Sequence, residues 1–306
     1  MSSLSPHKSA HTGWQLIKST ALAWKNSQTS VLAASLAYFA VFSLAPLLTL
    51  VVMIVGLVYG EAAVQGELVG QIEQVVGDEA AQVLETAIAS LRESQNGGLF
   101  QALVSFGVII FGIYSLFMQI QYSLNQIWRI RPEPSQDMAK FLRKRVLTGL
   151  MVFVVVLLVF ASFLFNTTMG TLVNVVGDAL PRGFPLWRVA GFGLSLVLLT
   201  LVFTLVYTIL PDARVHWRDA LVGAALTTVL LMTGQLLFWQ LLERTEFGSA
   251  YGIAGSFVIL ITWIYFAAHI FFVGAEFTRV YALRLGEAIQ PESYAVTTDA
   301  QLDSSS

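Results

Sequence analysis

The last apolar segment of the chain carries titratable side chains at helical spacing. Tyr265, His269, Phe272 and Glu276 follow one another at steps of four, three and four residues, which places them on one face of a helix. Ionisable groups inside a membrane are costly and often functional, and histidine titrates near physiological pH. One interpretation is a protonatable relay through His269 and Glu276. The alternatives are a histidine hydrogen-bonded between helices and a carboxylate paired at the interface with Arg279 or another helix.

Other apolar segments contain polar side chains as well. In the first, Tyr38 and Ser43 precede Pro46, which removes one helix hydrogen bond. Broken helices with nearby hydroxyls line substrate paths in transporters, while interhelical packing and hydrogen bonding are the more ordinary uses. The candidates for a transport path or proton relay are therefore His269, Glu276, Tyr265, Tyr38, Ser43, Pro46 and Gln119.

These side chains require membrane-spanning helices to position them. Of the 306 residues, 56% are hydrophobic and 12% are charged, whereas about 25% are charged in a soluble domain. Six uncharged segments exceed the roughly 20 residues that cross a bilayer. The sequence predicts an all-α, polytopic membrane helical bundle with six transmembrane helices, whose cores lie at 35–59, 99–122, 146–168, 187–210, 219–241 and 253–277.

The basic residues of the connections predict the orientation of this bundle. They concentrate at both ends of the chain and in the second and fourth connections, where Arg143, Lys144 and Arg145 precede the third span. The opposite side has only Arg92, Arg182, Arg188 and Arg244. Because the more basic side faces the cytoplasm, we expect cytoplasmic N- and C-termini in a bacterial inner membrane.

The segments outside the spans differ in character. Residues 1–28 form a cytoplasmic N-terminal segment in which 13–28 predict an amphipathic helix, lying at the membrane interface or packed on the protein itself. Within the transmembrane domain of 29–286, the outer loop 60–98 predicts two amphipathic helices with an acidic surface. Residues 287–306, rich in Ser, Thr and Asp, predict a disordered cytoplasmic tail.

The basic residues before the third span lie where anionic lipid headgroups meet the chain. Each such cation attracts an anionic membrane surface by about 1 kcal/mol. Arg143, Lys144 and Arg145 are therefore candidates for headgroup contact, with a topology anchor as the alternative.

Several classes of chemistry find no support in the sequence. The absence of cysteine excludes disulfides and thiolate metal sites, and the four histidines are far apart in sequence. No serine-hydrolase, metalloprotease or phosphate-loop motif occurs. We therefore expect no enzyme, metal site or cofactor, and no nucleic-acid partner.

Four segments resemble the YihY/BrkB family of bacterial inner-membrane proteins. In chain order they read SLAYFAVFSLAPLLTLVV, SLNQIWRIRP, LPDARVHWRDALVGAAL and YGIAGSFVILITWIYFAAHIFFVGAEF, and the resemblance covers about residues 13–286. YGIAG stands where YGSLG is more usual. The resemblance implies six transmembrane helices with both ends inside. It implies little about activity, since the family was once mislabelled ribonuclease BN and has been linked to serum resistance and to transport.

Together these patterns favour an inner-membrane transporter of a small ion or lipid-like solute. If His269 and Glu276 form a relay, the transport is proton-linked. Membrane lipids are the partners that the sequence predicts for this protein. The alternative is a non-transporting structural or assembly factor of the bacterial envelope. Transport predicts that the intramembrane polar residues converge on one cavity. The structural role predicts that they are dispersed, each satisfied by a local bond.

Overall fold

The computed structural model describes residues 6–59, 86, 89, 99–133, 138–140, 142–144, 146–151, 154, 186–244 and 253–298. Its elements in chain order are α1 (Pro6–Asn26), α2 (Thr29–Tyr59), α3 (Leu99–Ile127), β1 (Ile130–Pro132), α4 (Leu186–Ile209), β2 (Ala213–Arg214), α5 (Trp217–Arg244), α6 (Ile253–Arg284), β3 (Gln290–Pro291) and β4 (Ala295–Thr297). Residues 138–140, 142–144 and 146–151 are also helical.

Five of these helices, α2 to α6, are long and apolar enough to cross a membrane. Each coincides with a predicted span, so the hydropathy pattern located these helices correctly. The predicted third span, 146–168, enters the described residues only at its start. The predicted outer helices of 60–98 lie outside them, apart from two isolated helical residues.

The chain divides into two compact units. The first comprises Met1–Trp128 and Leu230–Val280, and the second comprises Arg129–Val229 and Tyr281–Ser306. The boundaries fall within α5 and α6, so each of these helices contributes to both units.

In the first unit, α2 packs closely on α3 because α3 has a glycine at the contact. A Cβ atom added to Gly112 would lie 2.9 Å from Cγ of Pro46. Pro46, expected to remove one hydrogen bond of the first span, lies inside the continuous helix α2 and is buried there. Pro46 therefore lies where α2 and α3 approach each other closely, at a position where α2 lacks one backbone hydrogen bond.

A second close approach in this unit joins α5 and α6. A Cβ atom at Gly234 would lie 2.7 Å from Cδ1 of Ile270. Beside it, the ring of Phe238 packs against Trp263 and Phe266 with centroid distances of 5.1 and 6.2 Å. Aromatic packing and a small residue at the contact therefore hold these helices together.

The second unit joins α4 to the first half of α5 through buried hydroxyl groups. Thr200 donates to Thr228 at 3.1 Å, and the hydroxyls of Tyr207 and Thr227 are 3.0 Å apart. Thr227 and Thr228 also donate to backbone carbonyls one turn earlier in α5. Each of these four hydroxyls thus has a partner within the helix pair, as a bilayer requires.

The C-terminal segment, residues 285–298, pairs with two earlier connections of the chain. In antiparallel register, β3 pairs with β2 (Ala213↔Pro291) and β4 pairs with β1 (Arg131↔Val296). Tyr294, between β3 and β4, is buried and donates to Oδ1 of Asp212 at 2.9 Å. The expectation of a disordered tail is therefore wrong for 287–298, because backbone pairing and one buried aromatic ring order a polar sequence.

Replacing Gly112 with alanine tests the contact between α2 and α3. The new methyl group would meet the ring of Pro46, and such overpacking costs about 1–3 kcal/mol. We expect a lower thermal unfolding midpoint for purified Gly112→Ala in detergent. Gly107→Ala is the matched control, because a Cβ atom there meets nothing within 4 Å. Equal midpoints for the two variants would contradict the described packing.

Candidate functional site

His269 and Glu276, the titratable residues of α6, both contact the turn between α1 and α2. We call Ser27, Ser30, His269 and Glu276 the turn cluster. The turn is sharp: Gln28 has a φ of 49°, and the hydroxyl of Thr29 donates to the carbonyl of Trp24 at 3.1 Å. That bond satisfies one of the carbonyls exposed at the end of α1.

Glu276 lies between the α1–α2 turn and an arginine of its own helix that reaches the end of α3. Its side chain is completely buried, and Ser27 Oγ donates to its Oε1 atom. Arg279 Nη1 lies 4.0 Å from its Oε2 atom and donates to the carbonyl of Ile127 at 3.2 Å. Nearby, the indole of Trp128 donates to the carbonyl of Ala275 at 3.1 Å. The carboxylate and its neighbours thus connect α6 to the α1–α2 turn and to the end of α3.

His269 uses both ring nitrogens within the first unit. Nδ1 lies 3.1 Å from the carbonyl of Tyr265, and Nε2 lies 3.3 Å from Ser30 Oγ. The ring also packs against Tyr265 and Trp24, with centroid distances of 4.4 and 6.2 Å. Tyr265 and His269, predicted to share a face, are therefore in contact.

The other predicted path residues do not join the turn cluster. Tyr38 is 61% exposed, with its ring 4.7 Å from that of Phe42. Ser43 donates to the carbonyl of Ala40 within its own helix, and Gln119 donates to Ser123 at 3.3 Å. Ser43 and Gln119 thus each form a hydrogen bond within their own helix, and Tyr38 has a ring contact within its own helix.

Sequence reasoning missed the partners of His269 and Glu276. Ser27 and Ser30 carry no signal beyond lying at the break between two helical patterns. In α1, Trp14 is largely exposed, whereas Trp24 is half-buried against His269.

In the second unit, a cavity of about 380 Å³ lies beside the basic residues that precede the third predicted span. We call it the cationic cavity. Three basic side chains, three aliphatic ones and two from the C-terminal segment line it: Lys140, Arg143, Lys144, Val146, Leu147, Leu150, Glu292 and Tyr294. Of the predicted headgroup contacts, Arg143 and Lys144 line this space, and the side chain of Arg145 lies outside the described residues.

Three basic side chains and one carboxylate line the cationic cavity. Burial lowers the pKa of Lys144, and the carboxylates of Glu292 and Asp212 partly oppose that shift. Glu292 also accepts a hydrogen bond from Nε of Arg214 at 3.0 Å. The cavity therefore combines a cationic side with an aliphatic wall, which suits a ligand with an anionic group and an apolar part.

Among the described residues, no group of three His, Asp or Glu side chains is placed to hold a metal ion. The polar arrangements described are hydrogen bonds around the turn cluster in the first unit, and hydroxyl pairs and a cavity lined by three basic side chains in the second.

Comparison with known proteins places these features in a family context. The family model described as virulence factor BrkB matches residues 21–297. A UPF0761 membrane protein of Alkalilimnicola ehrlichii is 27% identical over 260 residues, covering 82% of this chain and 54% of that protein. Another, of Pseudomonas aeruginosa, is 26% identical over 245 residues, covering 79% and 57%. This chain thus spans little more than half the length of these two relatives.

A relative of different length carries a different name. YfkH of Bacillus subtilis, named as ribonuclease-like, is 25% identical over 246 residues, covering 79% of this chain and 86% of that protein. No solved structure matches the chain.

Proposed function

Because the chain belongs to the BrkB virulence factor family of integral membrane proteins, we propose that it is a bacterial inner-membrane transporter of an anionic, lipid-like solute. The observation that carries this proposal is the cationic cavity. Its basic side chains suit a phosphate or carboxylate group, and Val146, Leu147 and Leu150 offer an apolar surface for an acyl chain.

The sequence positions of the residues that line the cavity support binding of a lipid headgroup. Its basic residues directly precede the predicted third span, where lysine and arginine attract anionic headgroups. Residues of the same helical stretch supply the aliphatic wall. Binding and movement of a solute, rather than catalysis, is the function that these side chains favour, and the ribonuclease-like name remains that of the Bacillus relative.

Removing the positive charges of the basic side chains that line the cationic cavity tests this proposal. In vesicles containing the purified protein, the triple variant Lys140→Gln, Arg143→Gln, Lys144→Gln should move fluorescently labelled phosphatidylglycerol between leaflets at least about tenfold more slowly, since each cation contributes about 1 kcal/mol. Arg218→Gln is the control, because Arg218 lies over the Trp217 ring and does not line the cavity. Equal rates for wild type and the triple variant would reject the proposal.

We further propose cytoplasmic N- and C-termini. The distribution of basic residues supports this orientation, because the second and fourth connections and both ends of the chain are the more basic side. The strands β1, β2, β3 and β4 all lie in those connections and the C-terminal segment.

Reporter fusions check the orientation. A reporter after Ser306 should behave as cytoplasmic, and one inserted within 78–95 should behave as external. The fusion point after Ser306 leaves β3 and β4 intact. External activity at Ser306 would overturn the orientation.

A specific observation favours the second candidate function, a structural or assembly factor of the envelope. Ser43 of α2 and Gln119 of α3 bond within their own helices, and His269 and Glu276 bond to Ser30 and Ser27 at the α1–α2 turn. Those bonds support a packing role for the turn cluster. The proton-linked version of transport instead requires His269 to change charge during the cycle.

Replacing His269 with glutamine separates the two functions of the turn cluster. Glutamine keeps a hydrogen-bonding side chain but cannot titrate, so proton-linked transport should lose its dependence on pH between about 5 and 8. Lipid movement in the same vesicles, measured across this range, is the readout, and an unchanged unfolding midpoint is the control. A pH profile identical to that of the wild type would reject the relay and favour the packing role.

A further inference from the structure

Glu292 is the acidic side chain among the residues that line the cationic cavity, and the fold holds it in place. Its backbone N–H donates to the carbonyl of Asp212 at 3.1 Å, next to the pairing of β2 with β3. Its carboxylate accepts from Arg214 Nε at 3.0 Å, and its side chain is 22% exposed. The negative charge is therefore fixed at the cavity wall.

A fixed carboxylate beside three cations affects ligands according to their charge. The three basic side chains attract any anion, whereas Glu292 repels it, and both energies scale with the ligand's charge. A phosphomonoester carries a charge of about −1.5 to −2 near neutral pH, and a phosphodiester carries a single charge. Repulsion from Glu292 thus acts about twice as strongly on a monoester.

We infer that Glu292 is a specificity-determining residue of the cationic cavity, which reduces the preference of the three cations for the more highly charged phosphomonoesters over phosphodiesters. This inference rests on the proposed function, which supplies an anionic, lipid-like ligand. Arg214 positions Glu292 and offsets part of its charge, so it sets how strong the selection is.

Glu287 provides a matched control on the same segment. Its carboxylate lies 3.5 Å from Nδ1 of His216, its side chain is 77% exposed, and it does not line the cavity. Replacing Glu287 with glutamine removes the same charge from the C-terminal segment without changing the cavity wall.

The experiment measures dissociation constants of soluble short-chain lipids for the full-length protein in nanodiscs, by calorimetry at pH 7.5. The probes are dioctanoyl phosphatidic acid, a monoester, and dioctanoyl phosphatidylglycerol, a diester. One unit charge several ångströms away in a water-like medium changes binding of a monoanion by about threefold. Glu292→Gln should therefore tighten the diester about threefold and the monoester about five- to ninefold, with Glu287→Gln unchanged.

A second variant keeps the test decisive if Glu292→Gln loosens the C-terminal segment. Arg214→Gln leaves the Glu292 carboxylate in place and removes its counter-charge, so it should weaken monoester binding more than diester binding. Opposite shifts for the two variants support the inference. Equal tightening of both lipids by Glu292→Gln, or no change, would overturn it.

Inorganic phosphate distinguishes a lipid headgroup from a free anion. If the lipids bind and Glu292→Gln leaves their ratio unchanged, the inference fails and the proposed function stands. If phosphate shows the full charge effect while neither lipid binds, the charge selection stands and the lipid-like solute is rejected. If no probe binds the wild type or any variant, both are rejected.

Discussion

A carboxylate buried in a membrane helix must be met by hydrogen-bond donors, and this requirement organises the first unit. Glu276 is completely buried, so the ends of other helices have to approach it. Ser27 supplies one donor from the α1–α2 turn, and Arg279 lies between the carboxylate and the last carbonyl of α3. Removing one partner of a buried charged pair typically costs about 3–5 kcal/mol. The positions of α1, α2 and α3 relative to α6 therefore depend on this one side chain.

The charged side chains of the second unit are arranged differently from those around Glu276. Its basic residues line an open space, and burial lowers the pKa of Lys144 by making its charged form less favourable. The acidic groups that oppose this effect come from the LPDAR motif and the C-terminal segment, through Asp212 and Glu292. An anionic ligand would contribute in the same direction as those carboxylates. This is the physical reason for preferring the cavity, over the turn cluster, as the site of solute binding.

Hydropathy was sufficient to locate the helices because spanning length is a coarse property of about 20 residues. The bounds of α4 and α5 came within a few residues of those predicted, and helical spacing correctly placed Tyr265 beside His269. Hydropathy and helical spacing could not predict the hydrogen-bond partners that come from distant parts of the chain. Ser27 and Ser30 are ordinary polar residues until the turn brings them to α6, and nothing in helical periodicity relates them to positions 269 and 276.

The C-terminal segment differs most from its prediction, because its amino-acid composition is typical of a disordered tail. Composition reports how much apolar surface a segment can bury by itself. It does not report pairing of backbone groups with strands elsewhere, or a single tyrosine that finds a buried carboxylate partner at Asp212. This pairing of the C-terminal segment places Glu292 and Tyr294 among the residues that line the cationic cavity.

The pairing of the C-terminal segment also sets an order of events during biosynthesis. A ribosome delivers β1 and β2 long before β3 and β4, so the earlier strands wait without their partners while the later helices are inserted. The cationic cavity acquires Glu292 and Tyr294 only after α6 has been synthesised. A chain interrupted before residue 292 therefore lacks two of the side chains that line the cavity, and its strands β1 and β2 lack the pairing with β4 and β3.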